Sequence, residues 1–211
     1  MNCLNHRFAW LLLFVFGFVS CSSLNAQLIV DAGDIQLLEN TAGQVVSFSA
    51  TGPDSVQGLN FNVQIADGGP GLAGGSIAGP TITAIDITGL GTIFENNNTG
   101  QGGGLIVPQI AGVTITTNTG RVAGEGVLAF VTFDTTGFFA SDSNNPFDII
   151  LTGPQSLNGN TDFAGSLDTD GIAVPFSVTN GTLTLVSAVP EPSSAILLGL
   201  VGICVGLRRR R

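Results

Sequence analysis

The sequence predicts an all-β protein, a single sandwich or jelly roll of about nine strands. Three observations carry the prediction. Apolar residues recur with period two through most of residues 27–188, and the stretches between them are rich in Gly, Pro, Asn and Asp. No window of that body shows an apolar stripe at helical spacing over three turns.

The clearest strand is Leu59-Asn60-Phe61-Asn62-Val63-Gln64-Ile65, with its apolar residues toward a core and Asn60, Asn62 and Gln64 toward water. Val46-Ser47-Phe48-Ser49-Ala50 alternates in the same way. Val127-Leu128-Ala129-Phe130-Val131-Thr132-Phe133 is apolar on both sides, which predicts a central strand partly covered on its outer face. Further strands are expected at 27–32, 82–87, 105–107, 113–117, 147–151, 173–178 and 182–186. Turn sequences stand at 51–53, 68–71, 102–104 and 152–154. Asn180-Gly181, between two alternating runs, reads as a two-residue hairpin.

The body is chemically sparse. From residue 27 to 189 there is no Lys, His, Cys, Trp, Tyr or Met, and Arg121 stands alone against fourteen acids, a formal charge of −13. Such a field repels phosphate backbones, so no nucleic-acid partner is expected. Without cysteine there is no disulfide framework, and the core alone must hold the domain.

The two ends are of another kind. Arg7, the apolar run 8–19 and the small, polar stretch 20–26 have the layout of a secretory signal peptide, too short for an ordinary membrane span. Ala26 occupies the last position before the cut, and Gln27 becomes the new N-terminus. Val19-Ser20-Cys21 offers a competing lipid-attachment site, although Phe18 stands where an aliphatic residue is expected. A lipid on Cys21 would change the anchor and not the fold. At the other end, residues 189–211 form a third region. Val189-Pro190-Glu191-Pro192 precedes an apolar span, 193–207, and then Arg208, Arg209, Arg210 and Arg211. The arginines orient the tail with its end in the cytoplasm and the body outside. Fifteen residues rise only about 22 Å as a helix, short of the ~30 Å hydrocarbon core, which fits a temporary anchor.

Val189-Pro190-Glu191-Pro192, the apolar span and the closing arginines together resemble the PEP-CTERM sorting signal of Gram-negative, exopolysaccharide-producing bacteria. The resemblance implies cutting near this motif by an exosortase, a membrane protease resembling a transpeptidase, with release or transfer of the body to the cell exterior. An ordinary C-terminal membrane anchor is the plainer alternative. Within the body, Thr41 to Phe48, Gly58 to Ile65, Gly124 to Phe133 and Val178 to Leu185 follow in an order that resembles a cohesin or the related carbohydrate-binding-module sandwich. The chain departs from cohesins at Ala66-Asp67-Gly68, where an aromatic-Asp-Pro sequence usually follows the second long strand. Dockerin recognition therefore carries over to no named residue.

The body has no His, Cys or Lys to serve as a nucleophile or matched base, which leaves only paired carboxylates for catalysis. Asn158, Asn160, Asp162, Asp168 and Asp170 are dense enough in oxygen ligands for Ca²⁺, but their spacing fails the EF-hand rule. A loop using Asn, Asp and Gly for its turns explains the same residues, so no cofactor is required. Thr81, Thr83, Thr114 and Thr116 form threonine runs of the kind found on ice-binding faces, and ordinary β-branched strand preference explains them equally. Asn97-Asn98-Thr99 and Asn180-Gly181-Thr182 match the N-glycosylation pattern, which counts for little in a bacterium. The reading is an exported, non-enzymatic surface or matrix protein that contacts polysaccharide or a protein partner. Its rivals are a carboxylate-dependent glycan-active enzyme and an ice-binding surface protein.

Overall fold

The computed structural model describes residues 27–151, 161–164 and 174–188. They contain fourteen strands and no helix: β1 (Leu28–Asp31), β2 (Asp34–Leu38), β3 (Gln44–Thr51), β4 (Ser55–Val56), β5 (Gly58–Ile65), β6 (Thr81–Asp86), β7 (Gly102–Val107), β8 (Ile110–Thr116), β9 (Val122–Ala123), β10 (Gly126–Asp134), β11 (Phe147–Ile150), β12 (Asp162–Ala164), β13 (Phe176–Thr179) and β14 (Gly181–Val186). A five-stranded sheet, β13-β1-β3-β10-β6, packs on a seven-stranded one, β2-β14-β11-β5-β8-β7 with β12 also paired to β5. β4 and β9 make a separate two-stranded ribbon.

The period-two alternation explains the core. Leu59, Phe61, Val63 and Ile65 of β5 meet Phe48 and Ala50 of β3 and Leu128, Val131 and Phe133 of β10 in one buried cluster. Phe48 and Phe61 pack across the interface as a tilted pair with ring centroids 5.4 Å apart.

The strands beyond the expected runs are the short β4, β9 and β12 and also β2, which arises because the chain switches sheets after β1, as it does again between β13 and β14. β1 and β13 pair in parallel in one sheet, and their continuations β2 and β14 pair in parallel in the other. Asn180-Gly181 is therefore no hairpin. It carries the chain from one sheet to the other, beside Ala32-Gly33, which makes the same crossing. The two crossings hold each other: Ala32 N donates to Thr179 O at 3.0 Å, and Thr182 N donates to Gly33 O at 3.1 Å. Asn180 Oδ1 accepts from Leu151 N at 2.9 Å, a bond that a free turn would not offer.

Two other expectations are corrected. Asn62 and Gln64 are buried and not solvated. Thr161 docks on the edge of β5, its hydroxyl accepting from Asn62 N and donating to Asn62 O, both at 3.1 Å. The loop after β5 folds back, and Gln64 Nε2 donates to Ala66 O at 3.0 Å. Gly102-Gly103-Gly104 is not a turn but the start of β7. Gly103, at φ +80°, lies where a Cβ would strike the Gly112 carbonyl of β8, so only glycine lets the strands approach. β10 is central as expected, flanked by β3 and β6, and Thr92 and Ile93 bridge to Val127 through the backbone. Phe130 and Thr132 remain half-buried on the outer face.

Candidate functional site

The crossing of β2 and β14 into the seven-stranded sheet builds a polar row on that sheet's outer face. Asp148 of β11 lies in register with Thr182 of β14, which lies in register with Asp34 of β2. The Thr182 hydroxyl donates to Asp34 Oδ1 at 2.7 Å. With Ile150, Asn180 and Gly181 these residues line an open cavity of about 410 Å³. It presents acceptors to a ligand's hydroxyl or amide groups. Two strand spacings set the aspartate backbones about 9.5 Å apart. Both aspartates are exposed.

A second feature lies between the sheets' free edges. β6 ends one sheet and β7 the other, and between them Thr83, Ile82, Leu105, Ile106 and Pro108 line an apolar groove of about 560 Å³. Ile82 N donates to Pro108 O at 2.7 Å and ties the two edges together.

Asp67 shapes the loop between β5 and β6. Its carboxylate accepts from Gly69 N at 3.1 Å, Ser76 N at 2.7 Å, the Ser76 hydroxyl at 3.1 Å and Ile77 N at 3.0 Å. Desolvation opposes its ionisation, but the Ser76, Ile77 and Gly69 N–H groups and the Ser76 hydroxyl outweigh it and hold the carboxyl below the ordinary range. The departure at Ala66-Asp67-Gly68 thus marks a loop staple, with Ala66 at φ +49°.

Of the residues singled out from the sequence, Gln27 is exposed just before β1, and Asp162 begins β12, paired with Asn60. Ala26, Asn158, Asn160, Asp168, Asp170, the motif Val189-Pro190-Glu191-Pro192, the span 193–207 and Arg208 to Arg211 lie outside the described residues. Among the described residues no three His, Cys, Asp or Glu side chains group as a metal site. No described helix is long and apolar enough to cross a membrane. Thr81 and Thr83 stand on β6, in the five-stranded sheet, while Thr114 and Thr116 stand on β8 in the other, so the two runs do not form one flat face. Sequence reasoning missed the Asp34–Thr182–Asp148 row. Its signal was an acid at the start of a strand next to the Gly33 crossing, legible only once β2 and β14 are known to pair.

Residues 188–211 match the PEP-CTERM protein-sorting motif. No curated protein sequence matches the chain. The body is similar in fold to a non-cellulosomal cohesin from the hyperthermophilic archaeon Archaeoglobus fulgidus, with 18% identity over 77% of this chain and 93% of that one and a TM-score of 0.51. A type III cohesin module from the cell-surface anchoring scaffoldin of Ruminococcus flavefaciens matches with 11% identity over 81% and 94%, at a TM-score of 0.53. CaCohA2 of Clostridium acetobutylicum, in its complex with CaDoc0917, matches with 12% identity over 76% and 100%, at 0.54. The chain therefore combines a cohesin-like β-sandwich with a PEP-CTERM sorting motif.

Proposed function

We propose that this is an exported, non-enzymatic surface or matrix protein, a binding module that an exosortase sorts. The observation that carries the reading is the sorting motif, which begins two residues after the last strand closes at Val186. In this reading Ala26 and Gln27 flank the signal-peptidase cut. Val189, Pro190, Glu191 and Pro192 form the exosortase's cutting region, and Arg208, Arg209, Arg210 and Arg211 hold the precursor's end in the cytoplasm until that cut.

The cohesin-like fold supports a protein partner, since CaCohA2 was solved in a complex. The acceptor-lined cavity at Asp34 and Asp148 supports contact with a polysaccharide. A body with no His, Cys or Lys supports binding over turnover.

The core closes within residues 28–185, so residues 27–188 are the body to test. It is presented to a glycan array and to a surface-protein extract, and each captured polysaccharide is assayed for hydrolysis. Saturable capture without turnover is expected. Sustained hydrolysis abolished by Asp34→Asn or Asp148→Asn would overturn the reading in favour of a carboxylate enzyme.

A further inference from the structure

The last strand leaves the sandwich through a clamped exit. Asn145 grips Leu185 of β14, its Oδ1 accepting from Leu185 N at 2.9 Å and its Nδ2 donating to Leu185 O at 3.1 Å. The same Nδ2 donates to Ala140 O at 2.9 Å. Glu39 holds the next two residues: its N–H donates to Val186 O at 2.9 Å, and its carboxylate accepts from the Ser187 hydroxyl. That carboxylate also accepts from Ala140 N at 2.7 Å, so the loop between β10 and β11 is fastened to the same point. Phe138 of this loop packs edge-on against Phe147, with ring centroids 6.4 Å apart, and its neighbour Phe139 is left 43% exposed. Leu38, in register with Val186, is exposed to the same extent. The last of these grips is on Ser187.

Spacing then dictates what meets this end of the sandwich. Pro190 follows Ala188 by two residues and Pro192 follows it by four, a reach of at most about 7 and 14 Å. A protein about 30 Å across, the size of even a small domain, cannot close on a motif that near without touching the sandwich. A protease that holds the residues ahead of Pro190 in its cleft takes in Val189, Ala188 and Ser187, the last of them already held by Glu39.

We propose that the end formed by Leu38, Glu39 and Phe139 is a docking surface for the exosortase, so that the folded body is part of its substrate; the inference rests on the sorting reading. Leu38 and Phe139 are the apolar anchors. Glu39, Asp134 and Asp142 stand beside them, each carboxylate fixed by a backbone N–H, from Ala140, from Thr136 at 2.8 Å and from Phe139 at 2.8 Å. Three such charges repel an anionic lipid surface. A protease surface with an apolar depression and a basic rim matches both features.

Pulse-chase of the full chain in a host that carries the exosortase tests this, reading the rate at which precursor becomes processed product. Leu38→Glu and Phe139→Glu bury a charge in the contact and should each slow processing by at least about tenfold. Leu90→Glu should leave it unchanged, since that position is 85% exposed at the opposite end, where Thr92 bridges to Val127 at the start of β10. A Gly-Ser spacer of about ten residues between Ala188 and Val189 adds roughly 17 Å of reach and lifts the enforced contact. Phe139→Glu should then be processed at the rate of the spacer-bearing chain without it. Circular dichroism of the 27–188 body should show all three substitutions folded. Processing of Leu38→Glu and Phe139→Glu at the wild-type rate, or equal slowing by Leu90→Glu, would overturn the proposal. Slowing that the spacer leaves intact would place the effect inside the body and overturn it too. So would capture of the 27–188 body by vesicles of phosphatidylethanolamine and phosphatidylglycerol that Phe139→Glu abolishes, which would assign this end to lipid. In each case a wild-type chain that is still cut keeps the sorting reading, whereas a wild-type chain never cut removes both.

Discussion

Gly181 lies against Gly33 so closely that a Cβ on Gly181 would overlap the Gly33 carbonyl oxygen. The contact sits where both ends of the body cross between sheets, and both strand pairs depend on it. Gly181→Ala forces one crossing away from the other and should cost about 2–3 kcal/mol. The denaturant midpoint of the 27–188 body measures it. A loss under about 0.5 kcal/mol would show that the crossings are not coupled.

Thr135 is fully buried. Its hydroxyl contacts the carbonyls of Leu38 at 2.7 Å and Thr41 at 2.8 Å and accepts from Thr41 N at 2.9 Å. Thr135→Val keeps the shape and strands these partners, so a destabilisation of about 1–3 kcal/mol is expected in urea unfolding. A neutral result would mean that water satisfies the Leu38 and Thr41 groups.

Asp67 gives a pH signature. Its folded carboxyl titrates below that of an ordinary aspartate, so its stabilisation is fully present above the ordinary value and is lost as pH falls through the lower folded one. Asp67→Asn should remove about 1 kcal/mol at neutral pH, allowing for solvent screening, and the gap from wild type should close in strong acid. A gap of constant size down to acid unfolding would assign the effect to shape and not to charge.

Much of this architecture was legible before the structure, and the gaps have physical causes. β5, β3 and β10 could be read because alternation is a local property, fixed by which face of one strand is wet. The role of Asn180-Gly181 could not, because a two-residue turn and a sheet crossing share one sequence and differ only in which distant strand each side pairs with. Asn62 and Gln64 read as solvated for the same reason, since Thr161 covers β5 from about a hundred residues away. The candidate site was least legible. Asp34 and Asp148 meet only through Thr182, and the tail motif declares itself by order alone.

Calcium is tested by its removal. The sequence alone explains Asn158, Asn160, Asp168 and Asp170 as turn formers, and Asp162 begins β12, so the melting temperature of the body should be unchanged by a chelator. A chelator-dependent fall, reversed by Ca²⁺ and absent in Asp168→Asn, would make them a metal site.

The central claim is that the tail is a processed sorting signal, and cell fractionation of the full chain tests it most directly. Proline disfavours helical conformation at the residue before it, so the order Val189-Pro190-Glu191-Pro192 suits a protease that engages an extended backbone. The account predicts wild-type protein outside the cell at a mass lacking residues 193–211, and an uncut, membrane-retained precursor when Pro190, Glu191 and Pro192 are replaced by alanine. Wild type and variant both intact in the inner membrane would contradict it.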